Sequence, residues 1–171
     1  MTFKFGFSLK FLILLMTFFV WTNSLVLDFK VRQIFSKSEL TQEQLIEIIK
    51  FWPNAKTTEL IAVRISSADP NCSILTAFSN RIIEIDSRYA QGWYIDALCR
   101  NTKSDFSGAI TSINRALEFD PVNPVYLIAK AKLGISAGEK SLASESLNIL
   151  RANYPDNPEI TPLDTSISLM P

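Results

Sequence analysis

Pro121-Val122-Asn123-Pro124 returns 34 residues later as Pro155-Asp156-Asn157-Pro158, inside a stretch from Trp93 to Pro158 that overlays on itself at that shift. Ala97 falls on Ala131, Ala109 on Ala143 and Asn114 on Asn148. A period of this size signals stacked supersecondary units, each too small to bury its own apolar face. One period further back, Asn80-Arg81-Ile82-Ile83-Glu84-Ile85-Asp86 matches Asn114-Arg115-Ala116-Leu117-Glu118-Phe119-Asp120 at Asn, Arg, Glu and Asp. That extends the array toward the N-terminus, with Ser87 where the later units have Pro121 and Pro155.

Working outward, helices are expected over Tyr89 to Arg100, Phe106 to Phe119, Pro124 to Leu133 and Lys140 to Ala152. The turns between them fall at Asn101 to Ser104, at Pro121 and at Gly134 to Glu139. Upstream, Asp69 as cap and Pro70 at the first helical position open a helix carrying Leu75, Phe78, Ile82 and Ile85 inward. An earlier helix starts near Thr57 with Leu60, Ile61, Val63 and Ile65. Before it, Thr41 and Gln44 form a capping-box pair, and Leu45, Ile48, Ile49 and Trp52 give one apolar face that ends at Pro53. Ala97, Ala109, Ala131 and Ala143 are small where paired helices approach closely. From Thr161 the chain is rich in Thr, Ser and Pro, a tail that either covers the last helix or hangs free.

Trp93-x2-Asp96-Ala97-x2-Arg100, followed by Ala109-x3-Ile113, Ala116 and Pro121, resembles the tetratricopeptide repeat, a helix-turn-helix of 34 residues. The resemblance covers roughly Lys56 to Asn157 and is best from Ala90 to Asn123. Asp96 and Lys130 stand where the family has leucine, and Arg100 and Gly134 where it has tyrosine. The resemblance implies an all-α fold, a right-handed α-solenoid of about three degenerate helix pairs plus a leading helix over 41–158. It also implies a non-enzymatic scaffold that binds a protein or peptide along the first helices of successive pairs. Carried over by slot, that groove holds Leu60 and Arg64, then Tyr94, Leu98 and Asn101, then Ile128, Lys132 and Ile135. Leu60, Tyr94 and Ile128 occupy the slot of the lysine used by chaperone-tail binders, so that clamp is absent. Ordinary solvent-facing and inter-repeat packing is the competing reading of these groove residues.

The N-terminus adds a second element. Phe11 to Val20 reads FLILLMTFFV after Lys4 and Lys10, and Leu25-Val26-Leu27 precedes Asp28. Residues 5–27 are long enough for a membrane helix, which makes 1–30 an anchor, 31–40 a linker and 159–171 a tail. A cleaved signal peptide ending near Ser24 and a buried soluble helix are the alternatives. Lys and Arg are similar in number at the two ends, so orientation is not decided by charge, but both leading readings export the remainder. A membrane segment leading into an Arg115 to Pro124 run of R-x-L-E-x-D-P-x-N-P form also resembles, more weakly, the C-terminal part of bacterial O-antigen ligase and polymerase-like proteins. That resemblance implies an accessory role in envelope polysaccharide assembly as the alternative function.

Composition excludes much else. The chain of 171 residues has no histidine, which rules out a Ser-His-Asp triad, a Cys-His pair, a His-bearing zinc site and a histidine pH switch. Formal charge is zero, and from Val31 onward 14 Lys and Arg face 16 Asp and Glu, so no nucleic acid partner is expected. The five glycines form no phosphate-cradling loop, and no cofactor or metal is expected. Asp96, Asp105 and Glu118 are expected on solvated faces or turns. Asn71-Cys72-Ser73 has the form of an N-glycosylation sequon. Cys72 and Cys99 lie nearly equidistant from the turn at Ile85 and Asp86, so antiparallel pairing brings them together at the open end of a hairpin as a disulfide. Two buried free thiols are the alternative.

Overall fold

The structure is a computed structural model that describes residues 72–171 without a break, together with Phe18, Thr22, Ala55, Lys56, Thr58, Glu59 and Ala62. The chain divides into two units, Met1–Gln44 and Leu45–Pro171. In the first, Phe18 and Thr22 are helical and the Thr22 hydroxyl donates to the Phe18 carbonyl at 3.0 Å. The rest of the expected anchor, the linker and the helix expected from Thr41 lie outside the described residues. Among the described residues no helix is long and apolar enough to cross a membrane.

The second unit contains six complete helices among its described residues and no strand. They are α1 (Leu75–Ile85), α2 (Ala90–Thr102), α3 (Phe106–Phe119), α4 (Pro124–Ala137), α5 (Lys140–Asn153) and α6 (Ile160–Ser168). Ala55, Lys56, Thr58, Glu59 and Ala62 are also helical, with Ala55, Thr58 and Ala62 buried. Each helix packs on the next, and α2 also touches α4 while α4 touches α6. The first helices of successive units, α2, α4 and α6, therefore lie side by side, as expected of stacked helix pairs.

Local chemistry sets most boundaries. The Asp105 carboxylate accepts from the Gly108 N–H at 3.0 Å and starts α3, and Asp120 ends it ahead of Pro121. The Asn123 side chain accepts from the N–H groups of Val125 at 3.0 Å and Tyr126 at 3.4 Å, with Pro124 preset at the first helical position of α4. The indole N–H of Trp93 donates to the Ser87 carbonyl at 2.8 Å, fastening the turn between α1 and α2.

Three boundaries differ from the sequence expectation. α1 begins at Leu75, not at Asp69 and Pro70, which lie outside the described residues. Cys72 precedes the helix in the left-handed region at φ 55, and its carbonyl accepts from the Thr76 hydroxyl at 2.6 Å. α2 runs on through Thr102 where a turn was expected from Asn101. α4 passes straight through Gly134 to Ala137. A Cβ at Gly134 would stand 2.7 Å from the Ala143 nitrogen, so this glycine serves the α4–α5 crossing and not a turn. The stop is Gly138 at φ 75. Its N–H bonds the Ile135 carbonyl at 3.2 Å and that of Glu139 bonds the Gly134 carbonyl at 2.8 Å, the paired bonds of a Schellman cap.

The core repeats with the sequence. Ala97, Ala109, Ile113, Ala116, Tyr126, Ala129 and Leu133 form one cluster. Leu127, Ala131, Ala143, Leu147, Leu150, Leu163 and Ile167 form the next. The expected close-approach alanines 97, 109, 131 and 143 have no exposed surface at all.

The segment expected to cover the last helix or hang free does cover it, as α6, which occupies the first-helix slot of a further unit. Leu163 follows Ile95 and Ala129 at 34-residue steps, Ile167 follows Cys99 and Leu133, and all six are buried. On the opposite face the pattern breaks. Thr161 and Thr165 fall in the slots of Leu127 and Ala131, which are buried, yet both threonines are exposed. α6 thus has an apolar face toward the array and a polar face away from it.

Candidate functional site

Of the groove expected from the repeat slots, the members among the described residues lie on α2 and α4. Tyr94 on α2 and Tyr126 on α4 lie with ring centroids 5.2 Å apart at an interplanar angle of 36°. The Tyr126 hydroxyl donates to the Gln91 side-chain oxygen at 2.9 Å, so one aromatic pair and one amide join the first helices of consecutive units. The hydroxyl of Tyr89, just ahead of α2, donates to the Glu59 carboxylate, which also holds Lys56 at 3.1 Å. Burial pushes all three phenols up, Tyr126 to about 12, with Glu59 adding to the rise at Tyr89 and the Lys132 ammonium opposing it at Tyr94. These tyrosines are neutral hydrogen-bonding and stacking groups at any physiological pH.

The expected groove residues divide by environment. Leu98 is 39% exposed, a large apolar side chain left outside the core on the same helix as Tyr94. Asn101, one turn on, is half-buried, and its side-chain oxygen is enclosed with no hydrogen-bond partner among the described residues. Lys132 is exposed and pairs with Glu159, at the head of α6, at 2.8 Å. Ile128 and Ile135 are half-buried and pack against the second core cluster, so their contribution is largely to packing. Tyr94 is half-buried against the first cluster, which makes it as much a core residue as a surface one. Leu60 and Arg64 lie outside the described residues. Gln91 and Glu159 were not singled out by sequence reasoning. Glu159 was hidden because its segment reads as a tail, and nothing in the sequence marks Gln91.

A second polar cluster corrects the expectation for Asp96. It lies between α2 and α3, only 5% exposed, and not on a solvated face. Its carboxylate accepts from the Arg100 Nε at 2.7 Å and from the Ser112 hydroxyl at 2.5 Å. Arg100 Nη1 continues to Asp105 at 2.9 Å, and Asp105 caps α3. The two bonds to Asp96 and Asp105 raise the Arg100 pKa, while the Gly108 N–H and then Arg100 lower that of Asp105. The two departures from the repeat pattern at 96 and 100 therefore form one unit, in which the arginine neutralises the acid that replaces leucine. All of its charge is committed to joining α2 with α3. Among the described residues no group of three or more Cys, Asp or Glu could hold a metal.

The structure joins Cys72 and Cys99 in a disulfide with Cα atoms 5.3 Å apart. Both are buried, and Lys103 Nζ donates to the Thr76 hydroxyl at 2.9 Å beside them. The bond ties the segment ahead of α1 to the last turn of α2, the helix that carries Tyr94, Leu98 and Asn101.

No family model and no curated protein matches the chain. Two solved chains do. One is the Yersinia enterocolitica type III secretion chaperone SycD in complex with a peptide of the translocator YopD. The match has 17% identity and a TM-score of 0.56, covering 67% of this chain and 87% of that one. At that identity the likeness speaks to the fold. The chain is an all-helical protein, through its described residues, with the helical-repeat architecture of that chaperone.

Proposed function

We propose that this chain is a non-enzymatic, tetratricopeptide-type scaffold that docks an extended peptide segment of a partner protein across α2 and α4. The observation that carries the reading is Leu98. It is a leucine exposed on the groove slot of α2, one turn from the Tyr94–Tyr126 pair. An exposed apolar side chain beside an aromatic pair suits a segment that lays an apolar side chain against them. The fold neighbour's own complex with a peptide supports the reading by analogy only.

The proposal includes tethering. Residues 5–27 supply an apolar stretch of spanning length, and a disulfide suits an exported, oxidising location. In this reading the anchor stays attached and the repeats lie on the exported side of the membrane.

The docking claim is tested with a photo-crosslinking amino acid at position 98 and, as control, at the exposed Glu118 of α3. Crosslinks to one defined partner peptide from position 98 and none from 118 are expected. Equal labelling from both positions rules out the groove. For the tether, the membrane-bound chain should resist carbonate extraction, and a mature N-terminus just after Ser24 would overturn it.

A further inference from the structure

We infer that Glu159 is a built-in competitor for the groove, occupying the position where an acidic side chain of the docked peptide is read by Lys132. The inference rests on the peptide-docking function proposed above and adds the chemistry of one subsite.

Lys132 stands in the groove slot of α4, one unit after Leu98, and its side chain is 57% exposed. Its carboxylate partner comes from the head of α6. The Glu159 side chain is 42% exposed, and its carboxylate makes no other bond among the described residues. Its backbone is held independently, since the Glu159 N–H donates to the Asn157 side chain at 2.9 Å and the Glu159 carbonyl caps Leu163 at 3.1 Å. α6 is also fixed by Leu163 and Ile167 in the core and by the Arg151–Asp164 pair at 3.2 Å. The carboxylate of Glu159 can therefore leave Lys132 without α6 leaving the array. A carboxylate that displaced Glu159 would meet the ammonium of a lysine that stands one repeat along the groove slot from Leu98.

An exposed lysine–carboxylate pair is weak, so an incoming acid can displace it and the internal contact shifts affinity without abolishing it. Freeing Lys132 should tighten acidic peptides about two- to fivefold.

The test uses a degenerate peptide library, acetylated and amidated so that only side chains supply carboxylates. It is selected on the full chain, on Glu159→Gln, on Lys132→Gln and on Asp164→Asn, with Leu98→Glu as the blank. The expected result is stronger enrichment of Asp and Glu by E159Q than by the natural chain. K132Q should lose that preference while still selecting apolar residues, and D164N, which loosens α6 but leaves Lys132 paired, should select as the natural chain does. Equal acid content on the natural chain, E159Q and K132Q overturns the inference. So does a gain by D164N equal to that of E159Q, which would trace the effect to α6 and not to the lysine. Selection no better than the blank by every version overturns the docking function itself, an outcome distinct from either.

Discussion

Replacing Asp96 by alanine tests whether the polar cluster between α2 and α3 holds the array together. The substitution removes an acceptor that serves Arg100 at 2.7 Å and Ser112 at 2.5 Å. Bonds to a charged group contribute on the order of 1.5–3 kcal/mol each, so two would suggest about 3–6 kcal/mol. Two features reduce that figure. The Arg100 side chain is 45% exposed and keeps Asp105, and Ser112 can turn its single proton to the Gly108 carbonyl 3.0 Å away, so neither partner is stranded. We expect a loss of about 2–3 kcal/mol, below the roughly 3–5 kcal/mol of breaking a fully buried pair. The double variant Asp96→Leu, Arg100→Tyr restores the residues usual in the resembling repeats and exchanges the pair for apolar contact. Such exchanges are often neutral or stabilising, so it should lie within about 1 kcal/mol of the natural chain. Urea denaturation reads both. With a slope near 2 kcal/mol per molar, Asp96→Ala should lower the midpoint by about 1 M while the double variant barely moves it. A single variant within about 0.5 kcal/mol of the natural chain, or a double variant as unstable as the single, would refute the reasoning.

Other consequences are as direct. Replacing Cys72 and Cys99 together by alanine frees a loop of sequence separation 27 and should cost about 3–4 kcal/mol by chain entropy, read as the difference between denaturation curves with and without reductant. Identical curves for the natural chain under both conditions would exclude the bond. Gly134→Ala forces the α4 and α5 backbones apart at Ala143 and should cost about 1–3 kcal/mol in thermal unfolding, whereas a neutral alanine would show that the crossing is loose. Tyr126 holds its proton to about pH 12, above the ordinary 10, chiefly through burial. Folding is therefore fully favoured below pH 10 and loses stability as pH rises from 10 through 12. Tyr126→Phe should flatten that fall in urea midpoints compared across the window, and an unchanged slope would assign the fall to other groups. Leu98→Glu should remove peptide binding with stability changed by no more than about 0.5 kcal/mol, because the side chain is already exposed. The same change at Tyr94 should unfold part of the first cluster, since Tyr94 packs against it.

The helices were legible wherever spacing alone decides them. Alanines at 34-residue steps mark the close crossings, and Asn123-Pro124 marks the start of α4, because both depend on side-chain volume or local capping. Misreadings came where one residue type has two uses. Gly134 reads as a stop, but a glycine in a helix can also admit a neighbouring backbone, and only the crossing at Ala143 distinguishes the two. Asp96 reads as solvated because a lone acid gives no sign of its partners, and Arg100 was read separately as another departure from the repeat. The segment after Thr161 leaves open whether it covers the last helix or hangs free because only Leu163 and Ile167, spaced one turn apart, mark its buried face. Of the expected groove residues, Leu98 and Lys132 lie at the surface. Slot arithmetic could not show that Ile128 and Ile135 lean into the second core cluster or that Glu159 reaches Lys132, since both depend on how α6 docks.

The claim that α2 and α4 form a peptide-docking face is most directly tested by backbone amide exchange on the full chain, with and without a peptide selected as above. The account predicts added protection at residues 94–101 and 128–135, with α3 and α5 unchanged. Protection confined to α3 and α5, or spread evenly over all six helices, would contradict it.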